Sequence, residues 1–215
     1  MKSTLAASLL LGATLLPTLQ GCLPLVAAGA TQATLAAVDR RPIGTQTEDE
    51  SIEWKASLEI SELGGKQSHL NFTSYNQKVL ITGEAPSEEL KAEVERRTTT
   101  IPNVKGVYNE LAIAPATSLA MRSNDSYITT KVKARLVDSG TVSAADVKVV
   151  TEAGVVYLLG LVTQREADAA IQVARTTTDV KKVVTLFEII SDAQAKALEV
   201  KVEAQPEKPA DVTGG

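Results

Sequence analysis

Apolar residues along this chain follow two rhythms, and the pair of rhythms occurs twice. Ile52, Ala56 and Ile60 recur every fourth residue, as do Ile128, Val132 and Leu136, which places each trio on one face of a helix. Leu70 and Phe72, and later Val147 and Val149, alternate with polar neighbours at the period of a half-buried strand. The stretches "SYNQ" and "TEAG" follow as turns, Gly154 supplying a permissive backbone in the second. "KVLITG" and "VVYLLG" read as the next strands. A further helix starts near Ser87 in the first copy and near Thr163 in the second, where Thr163 and Glu166 have the spacing of a capping box. Third strands cover 107–113 and 183–190. Asp125 or Ser126 is the expected cap of the helix that opens the second copy.

The recurrence extends beyond hydrophobicity. Gly83 returns as Gly160, "RTTT" at Arg97 returns at Arg175, and "NVKGV" at Asn103 is answered by "DVKKV" at Asp179. The chain therefore holds two copies of one α-β-β-α-β unit, an α+β fold with two helices on one face of a three-stranded sheet. The copies cover 48–114 and 123–190, joined by a linker at 115–122. Gly83 and Gly160 have a structural reading: each ends a strand where a turn or a close helix needs a residue without a side chain. The last segment, 191–215, finishes in prolines, charges and glycines and is expected to be disordered.

The amino terminus has a different character. Lys2 precedes an apolar run from Thr4 to about Leu16, too short to span a bilayer comfortably. Leu19-Gln20-Gly21-Cys22 then resembles the lipobox of bacterial lipoproteins. That resemblance implies a signal peptide at 1–21, cleavage before Cys22, acylation of Cys22, and a tether over 22–47. Leu23, in place of Asp, implies sorting to the periplasmic face of the outer membrane. Asp39, Arg40 and Arg41 in the tether suit either phosphate headgroups or plain solvation.

Composition narrows the chemistry. The net charge is −4, so no basic bias points to nucleic acid. His69 is the only histidine and Cys22 the only cysteine, which excludes the common zinc sites and leaves a catalytic triad only one base to use. No phosphate-binding glycine loop occurs. No catalytic residue, metal or cofactor is expected.

The repeated unit, with its glycine ending the second strand and the short "NV-x-x-V" lead into the third, resembles the BON domain (bacterial OsmY and nodulation). Two such units behind a lipobox resemble the dual-BON outer-membrane lipoproteins, with further matches in "AVDRRPIGTQTEDE" and "SNDSYITTKVKARL". Tyr127 departs from the pattern, standing where a well-studied relative has Trp. The resemblance implies phospholipid binding and association with cell division and envelope stress. Phosphatidylglycerol or cardiolipin are the lipids implied. An adaptor for envelope proteins of division or outer-membrane assembly is the alternative.

Differences between the copies localise the expected contact. The first helix of copy one is acidic, whereas that of copy two carries Lys131, Lys133 and Arg135. Tyr127, Thr130, Lys131, Ala134 and Val137 share one face of that helix, and with Lys133 they form the candidate lipid-binding site. An aromatic with a polar tip and a long basic side chain suit a headgroup boundary. On the open sheet face, copy one has Lys78, Thr82 and Glu110 where copy two has Val155, Leu159 and Leu186, joined by Tyr157 and Val184. So apolar a face needs a cover, and copy one is the nearest.

Overall fold

The computed structural model describes residues 39–203. Cys22, the signal peptide and most of the tether lie outside them. The first copy runs through α1 (Ile43–Ile60), a 3-10 segment (Ser61–Gln67), β1 (His69–Tyr75), β2 (Lys78–Ala85), α2 (Glu88–Thr99), β3 (Gly106–Asn109) and β4 (Ala112–Ile113). The second runs through α3 (Leu119–Ser139), β5 (Val147–Glu152), β6 (Val155–Val162), α4 (Gln164–Arg175) and β7 (Lys182–Ile189), and α5 (Asp192–Glu203) follows. In each copy the second strand is central. It pairs antiparallel with the first strand and parallel with the third.

The predicted stripes are the buried ones. Ile52, Ala56 and Ile60 pack with Phe72, Val79, Ile81 and Val94 under copy one. Ile128, Val132 and Leu136 pack with Val147, Val149, Val156 and Leu158 under copy two. Ser87 and Thr163 cap α2 and α4, the latter through a complete capping box with Glu166.

A recurring aspartate ties helix to hairpin in both copies. Asp49, inside α1, accepts from the backbone N–H of Asn76 and Gln77 at 2.8 and 2.7 Å. Asp125, inside α3, does the same for Ala153 and Gly154 at 2.9 and 2.8 Å. These hairpin residues all have positive φ, so the carboxylate holds a turn that its own backbone conformation disfavours. Asp125 is therefore a buried hairpin clamp and not a helix cap. The cap is Ser118, whose side chain accepts from the Met121 N–H.

Three further expectations are corrected. The third strand of copy one is broken at Glu110 and Leu111, because the Asn109 side chain takes the Leu111 N–H at 3.3 Å. Its amide meanwhile donates to the Lys91 carbonyl of α2 at 3.0 Å. Gly83 and Gly160 do not end their strands, since β2 and β6 each continue two residues further. The start of the tail is helical: in α5, Ala195 is buried and Leu198 packs on the apolar seam between the copies.

That seam is where the open sheets meet. Tyr157, Leu159 and Leu161 of copy two pack against Tyr75 and Leu80 of copy one, with Val155, Val184, Leu186 and Tyr108 alongside. Lys78, expected on the polar outer face of copy one, pairs across the seam with Glu188 at 3.2 Å. Lys148 reaches Glu53 at 2.7 Å. Copy one's outer face is partly apolar as well, because Tyr75, Leu80 and Tyr108 lie on it beside the polar residues expected there.

Candidate functional site

With both sheets spent on each other, the helices present what remains to solvent. α3 starts earlier than expected, at Leu119, and this lengthens its outward face. Leu119, Tyr127, Thr130, Ala134 and Val137 are all exposed, and their spacing of three and four residues sets them on one side of the helix. Tyr127 is 61% exposed and Val137 64%. Directly opposite, Ile128, Val132 and Leu136 are fully in the core, so the outer residues are free of any packing duty.

The predicted cations divide into two kinds. Lys131 donates to the Asp179 carboxylate at 2.7 Å and the Thr178 carbonyl at 2.8 Å. Its ammonium also lies 4.8 Å from the centre of the Tyr127 ring, close enough for cation–π attraction. Arg135 donates to the Val173 carbonyl and to the Thr176 and Thr177 hydroxyls, satisfying the end of α4 where backbone acceptors lack helical partners. Among the described residues only Lys133, of the three, has no such engagement. The basic excess is thus largely internal to the domain. Tyr127, Thr130, Ala134 and Val137 are brought together as predicted, flanked by Lys131 and Lys133, and Leu119 extends them.

Arg40 and Arg41 face neither headgroups nor solvent. Arg40 is 4% exposed. Its guanidinium meets both Glu166 carboxylate oxygens at 2.8 and 2.9 Å and also Glu199 of α5 at 2.8 Å. It donates to the Leu161 carbonyl at 3.0 Å as well. Arg41 pairs with Asp39 and Asp49 and covers the Tyr75 ring at 3.9 Å. The end of the tether is therefore latched into the second copy by Arg40 and into the first by Arg41.

The latch polarises its carboxylates in opposite directions. The bidentate hydrogen bonds from Arg40 hold Glu166 down at about 2. Asp146 receives only the Arg40 Nε at 3.5 Å and its backbone N–H at 3.3 Å, so burial prevails and pushes its carboxyl up to about 6.

Copy one's first helix carries a surface the sequence reading passed over. Trp54, the only tryptophan, and Leu58 stand exposed one turn apart on α1, with exposed Glu50 and Glu59 on the same helix. His69 sits at the start of β1 as predicted, beside Glu84 and Glu152.

Comparison with known proteins adds a lineage to this geometry. The model of the BON domain matches residues 54–115 and 124–191. The chain is similar to the Outer membrane lipoprotein DolP of Haemophilus influenzae, at 40% identity over 85% of this chain and 95% of that one. It is also similar to the 21 kDa hemolysin of Actinobacillus pleuropneumoniae, at 34% identity over 71% of this chain and 80% of that protein. Among solved structures, CdsD of the type III secretion system of Chlamydia trachomatis aligns with 73% of the chain at 14% identity and a TM-score of 0.28, too remote to bear on this fold.

Proposed function

The chain belongs to the BON-domain family, and from that premise we propose that it is a non-enzymatic, lipid-anchored protein of the bacterial outer membrane. Its second BON domain binds anionic phospholipid, phosphatidylglycerol or cardiolipin, through the outer face of α3. This concentrates it where such lipids gather, division sites included, in support of envelope integrity. The carrying observation is that Leu119, Tyr127, Ala134 and Val137 are exposed apolar groups on one face that the core does not use. Tyr127 presents a ring and a polar tip, and Lys133 stands free nearby. Acylation at Cys22 supplies the anchor, and two or more acyl chains hold stably. The kinship with an outer membrane lipoprotein supports that placement.

Replacing Tyr127 with glutamate tests the reading. The substitution removes an interfacial aromatic and adds a charge that anionic headgroups repel. The added charge costs about 1 kcal/mol near such a surface, roughly fivefold, and with the lost aromatic contact binding of the unacylated protein to phosphatidylglycerol vesicles is expected to fall roughly tenfold. The melting temperature should hardly change, because the ring packs on nothing in the core. Raising salt should weaken wild-type binding only in part, since Lys131 and Arg135 are already engaged within the domain. Full binding by a folded Tyr127→Glu protein removes this face from the account.

A second reading has its own observation. Trp54 and Leu58 form an apolar spot among carboxylates, which an anionic bilayer repels. A protein partner suits it better, such as an envelope protein of division or outer-membrane assembly. Trp54→Glu is therefore the matched control: it should leave vesicle binding intact and impair adaptor function if α1 is the docking helix.

A further inference from the structure

At one end of the seam, three Lewis bases from two domains converge. His69 opens β1 and stands directly across the ladder from Glu84 of β2, so both side chains leave the same face of the sheet. Glu152, the last residue of β5, comes from the other domain. The His69 Nδ1 lies 3.7 Å from a carboxylate oxygen of Glu84 and 3.7 Å from one of Glu152. Taking one donor atom from each residue, all three fall within 4.8 Å of one another. Gly83 keeps the space beside the ring open, since a Cβ there would stand 3.4 Å from Nδ1.

Two observations indicate that this gap suits a ligand. The His69 Nδ1 atom is fully buried and has no hydrogen-bond partner among the described residues, and 3.7 Å is too long for such a bond to either glutamate. Both carboxylates are buried as well, and among the described residues no lysine or arginine pairs with either one. The second copy provides an internal comparison. Its counterpart of the His69–Glu84 pair is Asp146 and Leu161, and there the Arg40 guanidinium lies against both, its Nε 3.5 Å from the Asp146 carboxylate and its Nη1 3.0 Å from the Leu161 carbonyl. Copy one has the slot without the arginine.

We propose that His69, Glu84 and Glu152 bind a divalent first-row transition-metal cation, of the zinc class, which staples the first BON domain to the second. Donors bound to zinc at about 2.1 Å in a tetrahedron stand about 3.4 Å apart, so the two 3.7 Å separations from His69 need slight closing and the glutamate oxygens, within 4.8 Å of each other, must draw in further. One imidazole with two carboxylates selects such ions over magnesium or calcium, which take oxygen ligands. Neighbours orient both carboxylates: Asn71 donates to the other Glu152 oxygen at 2.8 Å, and the Thr117 N–H and hydroxyl donate at 2.9 and 3.1 Å to the Glu84 oxygen that faces His69, which a bound cation would share with them. Asn71 also lies 3.4 Å from Nε2, a contact that depends on the ring tautomer. This proposal is independent of the lipid reading.

The test is titration of the full chain, purified in detergent at neutral pH, with zinc chloride, and with magnesium chloride as the oxygen-seeking control. Calorimetry should show one saturable zinc site per chain and none for magnesium. Glu152→Gln and His69→Gln should each weaken zinc binding at least tenfold. Because the chain has a single histidine, a long-range proton–nitrogen spectrum of the wild type reports on this ring alone and requires no variant to fold. Zinc should move the Nδ1 resonance. No saturable zinc site, binding untouched by both substitutions, or an unmoved Nδ1 would each overturn the proposal.

Discussion

Gly83→Val is expected to destabilise the first domain by about 3–5 kcal/mol, the sum of a strained backbone and a steric clash. Gly83 has φ +111°, a conformation that side chains disfavour, and a Cβ there would fall 1.9 Å from the His69 carbonyl oxygen. The obstacle is backbone, so β1 must move off β2. Gly160→Val meets only the second cost. Its Cβ would lie 2.3 Å from the Asp146 carbonyl oxygen, and φ is not positive there, so a loss of about 1–3 kcal/mol is expected. Urea unfolding of the two variants beside wild type measures both. Equal, negligible losses would show that neither strand crossing depends on its glycine. The recurrence of the two glycines therefore has one cause in common, the close approach of the first strand, and one that belongs to Gly83 alone.

Arg40→Ala is expected to cost about 3–5 kcal/mol at neutral pH, since it leaves buried carboxylates without their partner. The loss should shrink on acidification. In the wild type, the Glu166 carboxyl is held at about 2, below its unfolded value. It contributes stability that is present above the unfolded value and lost as pH falls towards 2. Asp146 is raised to about 6, so the folded state takes up its proton first and this group adds stability as pH falls through 6 towards 4. Without Arg40 both carboxyls should titrate higher, and by pH 5 protonation relieves the unpaired charges. Denaturation midpoints at pH 7.5 and pH 5 check this. A deficit that stays constant between them would mean the arginine acts by packing alone. Because Glu199 loses the same partner, α5 should also become more open to proteolysis.

How much of this could be read from the chain depended on the distance between partners. The core stripes, the Thr163–Glu166 capping box and the hairpin turns are local, and they stand as the periodicity implied. The docking of the sheets was also legible, because Val155, Tyr157 and Leu159 make an apolar face that a lone domain cannot leave open. The start of α3 was not. Its first two turns, from Leu119 to Asn124, contribute nothing to the buried stripe, and the true cap, Ser118, sits in a stretch that reads as linker. Asp49 and Asp125 could have been found, since each stands three residues before the first apolar member of its stripe. Arg40 was beyond sequence reasoning. Its partners Asp146, Glu166 and Glu199 lie 106 to 159 positions away, and nothing local marks a buried arginine. The helical start of the tail was missed for the same reason, being held by Leu198 on the seam and by Glu199 on that arginine. The His69 cluster needs residues from both domains, so a count of histidines alone gave no sign of it.

The central claim, that the outer face of α3 meets the membrane, is tested most directly by nuclear magnetic resonance with phosphatidylglycerol micelles carrying a nitroxide-labelled lipid. A paramagnetic label in the lipid weakens the amide signals of whatever lies against it, without any substitution in the protein. The account predicts selective loss at Leu119, Tyr127, Thr130, Ala134 and Val137, with little effect at Trp54 and Leu58 of α1 or along the buried seam. Loss centred on α1, with the α3 signals unchanged, would contradict it and would move the membrane contact to the other domain.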